Sequence, residues 1–304
     1  MTLLKNMKLI INGRDFTSLC VGLTLEDNVY SSAASLMAQI VFENHDGYLP
    51  PVFAYCGDEV TLEDGDVIFR GSIIRVEVNG KAGYFMVNAV EKSHLLSKND
   101  VYGIFSSNAA QNARKAIESV GLTAGRLEGK TCRGFASYGG MTAKEVIDTS
   151  YGDGYFVRCD GDAVSIMRAG SEEIGLNGSM IFDIRSVESV ENMVNKVSLT
   201  NSKNRVIYNT ESYEDVRKYG KYHKYRQITR NQSASAVAKE MLEGIRKTAK
   251  LQMGGQFKLR KGWAVSFDLE RYGLVGRYVI ESVRHRVADG VHTTEIEVKH
   301  ESLL

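Results

Sequence analysis

At 304 residues, with 43% hydrophobic and 25% charged side chains, the chain is long enough for two or three domains with cores of their own. Lys plus Arg number 38 against 37 Asp plus Glu, a net charge of +1, so no overall field favours nucleic acid or a membrane surface. No apolar run is long enough to span a bilayer, and the opening MTLLKNMKLIING lacks the pattern of a secretory leader; synthesis in the cytoplasm without membrane insertion is expected.

Glycine (29) rather than proline (2, adjacent at Pro50 and Pro51) makes the turns, as hairpins with positive φ require. Residues 7–92 read as all-β. Asn12-Gly13 is a hairpin turn after MKLII, and Leu19, Val21, Leu23 and Leu25 then alternate with Cys20, Gly22, Thr24 and Glu26, the period of a half-buried strand. Leu36, Ala38, Ile40 and Phe42 repeat the pattern up to a turn at 43–47. Asp64-Gly65 and Asn79-Gly80 punctuate further strands around 60–62, 68–78 and 84–90. Residues 1–95 are therefore expected to form a first small antiparallel β-barrel.

The period changes at Ser106. Ser106–Asn108 offers an N-cap, and Ala109, Ala113, Ile117 and Val120 follow at helical spacing before Gly121. Thr142 and Glu145 fit a capping box at the head of a second helix, after which YFVRC and AVSIM pair through Asp160-Gly161. Residues 96–190 read as an α/β module. The β-pattern returns in NKVSLTN and RVIYN, and Ser233 then caps what reads as the longest helix, with Val237, Met241, Ile245 and Ala249 on one face. From Phe257 the chain is β again, with a turn at Asp289-Gly290. These readings give a second barrel of residues 191–215 and 255–304, a helical insertion of 216–254, and an α+β, mainly β fold.

A stretch from Gly262 to Val287 echoes one from Gly57 to Val78. Gly57 falls on Gly262, Val60 on Val265, Leu62 on Phe267, Phe69 on Leu274, Gly71 on Gly276, Ile73 on Tyr278 and Val78 on Val283. Two related β-domains are implied, and Gly71 and Gly276 are expected where backbone approaches backbone or a strand kinks.

Chemistry is sparse. Gly152-Asp-Gly154 precedes a strand, so it lacks the helix N-terminus that holds a phosphate, and Asp160-Gly-Asp162 lacks the further oxygen ligands of a calcium loop. His285, His292 and His300 cluster late without paired-ligand spacing, and no GxSxG or peptidase-type Cys is present. Cys20, Cys56, Cys132 and Cys159 are scattered without a CxxC pair and read as reduced, mostly buried thiols. No cofactor, metal or catalytic residue is expected. The run KYGKYHKYR interleaves Lys218, Lys221, Lys224 and Arg226 with Tyr219, Tyr222 and Tyr225, as single-stranded nucleic-acid grooves do; a surface segment meeting a partner or the neighbouring helix is the other reading.

Gly57-Asp-Glu-Val60, Phe69-Arg-Gly71, the linker Val190–Val197, Lys218-Tyr-Gly220 and Leu274–Ile280 running on to His285 together resemble, in order and spacing, the tail hub (baseplate hub) proteins of contractile phages and phage-tail-like bacteriocins. The form resembled is that of defective prophages of Gram-positive bacteria. The resemblance implies a structural protein and no enzyme. Three subunits, each with two similar barrels, would form a pseudo-sixfold ring joining the hexameric tail tube to the trimeric central spike. Tube, spike, baseplate wedge and tape measure proteins would be its partners, with DNA at most transient in the channel. Assembly into the tail of a phage or phage-tail-like particle follows. A cell-wall-degrading enzyme on a β-scaffold and a single-stranded nucleic-acid-binding module remain as alternatives.

Overall fold

The computed structural model describes residues 7–42, 53–176, 180–229 and 233–301; the prolines and the turn expected at 43–47 lie outside them. Met7–Ile11 (β1) and Arg14–Asp15 (β2) turn back through Asn12 and Gly13, both at positive φ. Cys20–Asn28 (β3), Ser35–Val41 (β4), Glu59–Asp64 (β5), Asp66–Asn79 (β6) and Tyr84–Val90 (β7) complete a first β-unit. Its core is what the period-two reading demands: Leu23 and Leu25, Leu36, Ala38 and Ile40, and Phe85, Val87 and Ala89 are buried, one from every second position.

Asp100–Phe105 (β8), Ala109–Ser119 (α1), Thr123–Leu127 (β9), Phe135–Thr142 (β10), Ala143–Tyr151 (α2), Tyr155–Asp160 (β11) and Ala163–Arg168 (β12) form the α/β module. Both helix starts obey local chemistry. Asn108 accepts the Gln111 amide at 3.2 Å, and Thr142 and Glu145 make the capping box. The alanine-rich face of α1 packs on Val146, Ile147 and Tyr151 of α2 in one core with Leu96, Val101, Phe105 and Ile166.

Ile181–Ser189 (β13), Lys196–Thr200 (β14), Val206–Glu211 (β15), Tyr213–Tyr219 (α3), His223–Gln227 (β16), Ala234–Met241 (α4), Arg246–Gly254 (β17), Ala264–Leu269 (β18), Leu274–Ala288 (β19) and Val291–His300 (β20) follow. The boundaries expected for the second barrel need correction. Strands β14 and β15, which the sequence assigns to it, form instead a separate three-stranded sheet in which β14 lies between β15 and β16. That sheet has its own core of Val194, Val197, Leu199, Ile228, Val237 and Ala238. The barrel strands are β13, β17, β20, β19 and β18, so the α/β module stops short of 181 and the insertion runs from β14 through α4. The insertion leaves and re-enters between neighbours, since Ser189 faces Arg246.

The expected long helix also divides. Helix α4 ends at Met241, Ile245 lies beyond it and Ala249 sits in β17; the longest helix among the described residues is α1. Ala249 satisfies a helical period from Val237, yet Ala249, Leu251 and Met253 are buried while Lys250 and Gln252 are not, which is the strand period. The thiols differ too: Cys56 is exposed and the other three are half-buried, with burial lifting Cys20 to about 11.

Candidate assembly surface

The described residues join both β-units into one 12-stranded sheet. Along it the first unit runs β3-β4-β7-β6-β5 and the second β13-β17-β20-β19-β18, the same order of equivalent strands. The registers agree in detail. Each first strand carries one bulged residue, Val21 opposite the Gln39–Ile40 step and Phe182 opposite the Gln252–Met253 step. Each long strand carries another, Ile74 beside Ala89 and Asn88, and Glu281 beside Val298 and Glu297.

This register revises the echo read from sequence. Gly57 and Gly262 are equivalent: both have positive φ (97° and 75°), and their amides donate at 2.8 and 2.7 Å to the carbonyls of Ile73 and Ile280, which flank the equivalent bulges. Val60 matches Val265, and Leu62 matches Phe267. Beyond the turn the alignment slips. Val60 faces Gly71 but Val265 faces Tyr278, and Leu62 faces Phe69 but Phe267 faces Gly276. The second hairpin turns through four residues, the 3-10 segment Glu270–Tyr272 and Gly273, where the first turns through Gly65 alone and carries a bulge at Ile68, so the net slip is two residues. Gly71 therefore stands in the place of Tyr278, and Val283 matches Val76, while Val78 is exposed and stands in the place of His285. Leu274, buried in the second unit, lies closer to the turn than Phe69 does in the first.

The two units meet through strand pairing. Strand β3 lies antiparallel on β19, with Arg284 opposite Glu26, His285 opposite Leu25 and Arg286 opposite Thr24. Arg284 Nε reaches Glu26 Oε1 at 2.6 Å, and the Tyr30 hydroxyl donates to Glu281 at 2.7 Å. Besides the short terminal strand β2 and the outer side of β18, two edges of the sheet have no strand partner among the described residues: the outer side of β13, and the side of β6 beyond Ile73, where β5 ends its pairing. Large apolar side chains stand out there, Ile74 (52% exposed) and Val78 (60%) on β6, Phe182 (63%) and Val187 (51%) on β13. Sequence reading passed over these edges; Phe182, breaking the alternation of its strand, is the signal available.

The basic and aromatic run does not form one groove. Lys218 and Tyr219 end α3, with the Lys218 ammonium 4.9 Å from the ring beside it; Gly220 (φ 84°) caps the helix. The Tyr222 amide donates to Asn195 Oδ1 at 2.8 Å, Lys221 lies beside it in the connection, and Lys224, Tyr225 and Arg226 lie on β16. Tyr225 points to the face opposite Lys224 and Arg226, against His223, whose Nε2 is 2.7 Å from Ser198 Oγ.

No group of three or more metal-binding side chains occurs among the described residues. His285 and His292 do come together, 5.5 Å between rings, but packed on Phe257, with His285 also bonded to Thr294 Oγ1 (3.1 Å). Burial pushes His285 down to about 3 and His292 down to about 4, so both are neutral in the fold and protonate in the unfolded chain below 6.5. Stability from this pair is full above 6.5 and is lost as pH falls, towards 4 for His292 and towards 3 for His285. Replacing His285 by Gln is expected to flatten that fall by about 1.4 kcal/mol per pH unit, seen in melts at successive pH values. An unchanged slope would contradict it.

No helix among the described residues is long and apolar enough to cross a membrane. A search of curated proteins gave no match. Among solved structures, the 43 kDa tail protein of prophage MuSo2 from Shewanella oneidensis is similar at TM-score 0.73 and 13% identity, over 98% of this chain and 99% of that one. A tail protein from Neisseria meningitidis MC58 gives 0.72 and 12%, over 98% and 97%. The E. coli c3393 protein, a type VI secretion system component described as similar to the T4 bacteriophage tail proteins gp27 and gp5, gives 0.60 and 11%, over 96% and 76%. The resemblance to tail hub proteins thus holds at the level of the fold. The family model described as YQBQ-like matches residues 23–299, nearly the whole chain, and the protein belongs to the YQBQ-like family.

Proposed function

We propose that the chain is a structural component of a contractile injection particle, a homotrimeric hub whose two β-units give a pseudo-sixfold ring. The observation that carries this is the duplication itself: two units in one chain with the same strand order and the same two bulges, already joined side by side through β3 and β19. Three chains then present six nearly equivalent lobes on which a hexameric tail tube can stack, while chain identity keeps true threefold symmetry for a trimeric spike. The tail proteins and secretion component of like fold support that setting.

The solvent face of the sheet suits a channel wall. Lys250, Glu295, Glu297, Arg284 and Glu26 form a ladder of ion pairs across β17, β20, β19 and β3, with Lys250 Nζ to Glu295 Oε1 at 2.7 Å. Lys250 and Arg284 offset most of the charge of the three carboxylates, so a tape measure protein or DNA in transit meets a weak and slightly negative wall. The α/β module and the inserted sheet carry contacts to wedge or spike. The protein is made in the bacterial cytoplasm and acts by assembly rather than catalysis.

Sedimentation of the purified chain is the test. A species of three times 33.7 kDa, showing a central hole by electron microscopy, is expected. A particle that stays at 33.7 kDa at high concentration and with its tube partner present would end the proposal.

A further inference from the structure

We infer that the junction between neighbouring chains is a repeat of the β3–β19 junction, made by β6 of one chain and β13 of the next; this rests on the ring reading above. The register follows from the equivalences on the page. Bulges place Ile74 at Glu281, so Arg75, Val76, Glu77, Val78 and Asn79 take the places of Ser282, Val283, Arg284, His285 and Arg286. They likewise place Phe182 at Val21, so Arg185, Ser186, Val187, Glu188 and Ser189 take those of Thr24, Leu25, Glu26, Asp27 and Asn28. Substituting these into the pairing of β19 with β3 sets Glu77 opposite Val187 of a second copy of this chain, Asn79 opposite Arg185 and Arg75 opposite Ser189.

Three properties of the free edges fit that occupant. Both are backbone edges, unpaired among the described residues, and unpaired edges are the places where strands add. Both carry an exposed apolar side chain within the paired stretch, Val78 on β6 opposite Ser186 and Val187 on β13 opposite Glu77, which pairing would cover in part. The charges also agree: Glu77 would stand diagonally across from Arg185, within reach of a long side chain, in place of its exposed contact with Arg75 at 2.7 Å in the single chain. The contact is heterologous, one edge to a different edge. It leaves a free β6 and a free β13 after each addition, so chains add until a ring closes.

The test is cysteine cross-linking in a chain with Cys56→Ser. Glu77→Cys and Val187→Cys together, oxidised or bridged by a short bis-maleimide, are expected to give covalent dimers and trimers and nothing larger. Each substitution on a separate chain, mixed, should give dimers only, and Glu77→Cys with Asp183→Cys, off register by four positions along β13, should give none. Both sites are exposed, so the variants leave the cores untouched. A trimer by sedimentation that fails to cross-link at 77 and 187 overturns this junction and leaves the ring standing. A chain monomeric by sedimentation and uncross-linked overturns both. Cross-linking equally strong in the off-register pair overturns the register.

Discussion

Gly71→Val is expected to cost the fold about 3 kcal/mol, seen as a drop in the denaturant midpoint with loss of any trimer. A Cβ on Gly71 would overlap the carbonyl oxygen of Val90 and lie 2.6 Å from its carbonyl carbon and 2.7 Å from Phe69 Cζ. Backbone closes one side and a buried ring the other, so relief requires β6 to part from β7. That movement carries away residues 75–79, the edge assigned to the neighbouring chain. The ring of Phe69 covers the position where, at the equivalent site, Tyr278 places its own side chain in the core. Gly276, the glycine that sequence alone aligns with Gly71, is different: its φ is 101°, and a Cβ there meets only His300 Nε2 at 3.3 Å. Gly276→Ala should therefore cost roughly 1–3 kcal/mol, from backbone strain alone. A Gly71→Val chain more stable than Gly276→Ala would show that the close approach is not what requires glycine in β6.

That contrast marks what sequence could and could not disclose. Local chemistry was readable: the Asn108 and Thr142 caps, the Asn12-Gly13 and Asp289-Gly290 turns and the alternation in β4 and β7 all depend on neighbours within a few residues. The repeat was readable in its first strand, where Gly57 and Gly262 share a positive φ, and misread past the turn, because a longer turn preserves the pattern of apolar residues while sliding it by one strand period. Partner choice was not readable. Nothing local in NKVSLTN distinguishes a strand that joins the large sheet from one that pairs with β16, and Ala249 fits a helix and a strand equally until its neighbours' burial is known. The proposed assembly edges depend on which strands lie outermost, a property of the whole sheet.

The second large effect is expected at Lys261. Only 4% exposed, it makes a 2.7 Å ion pair with Asp27 and donates to the Ser31 carbonyl at 3.3 Å. Asp27 lies on β3 opposite Val283, so the pair ties the segment before β18 to the strand that joins the two β-units. Glu91 lies close by, its carboxylate accepting the Ala34 amide at 2.9 Å; burial, then the charge of Asp27, pushes it up to about 7. Lys261→Met removes the one cation paired directly with Asp27 among the described residues and leaves a buried carboxylate beside a second acidic group. A loss of about 3–5 kcal/mol is expected, because removing the directly paired cation leaves a buried carboxylate offset by the charge of Arg260 but without an ion pair of its own. Adding Asp27→Leu should restore most of it, since apolar groups of similar size can replace a buried pair at little cost. Chemical denaturation of the two single variants and the double variant decides the matter. Additive losses would show that the residues act independently and that the link between β3 and the second unit rests on backbone pairing alone.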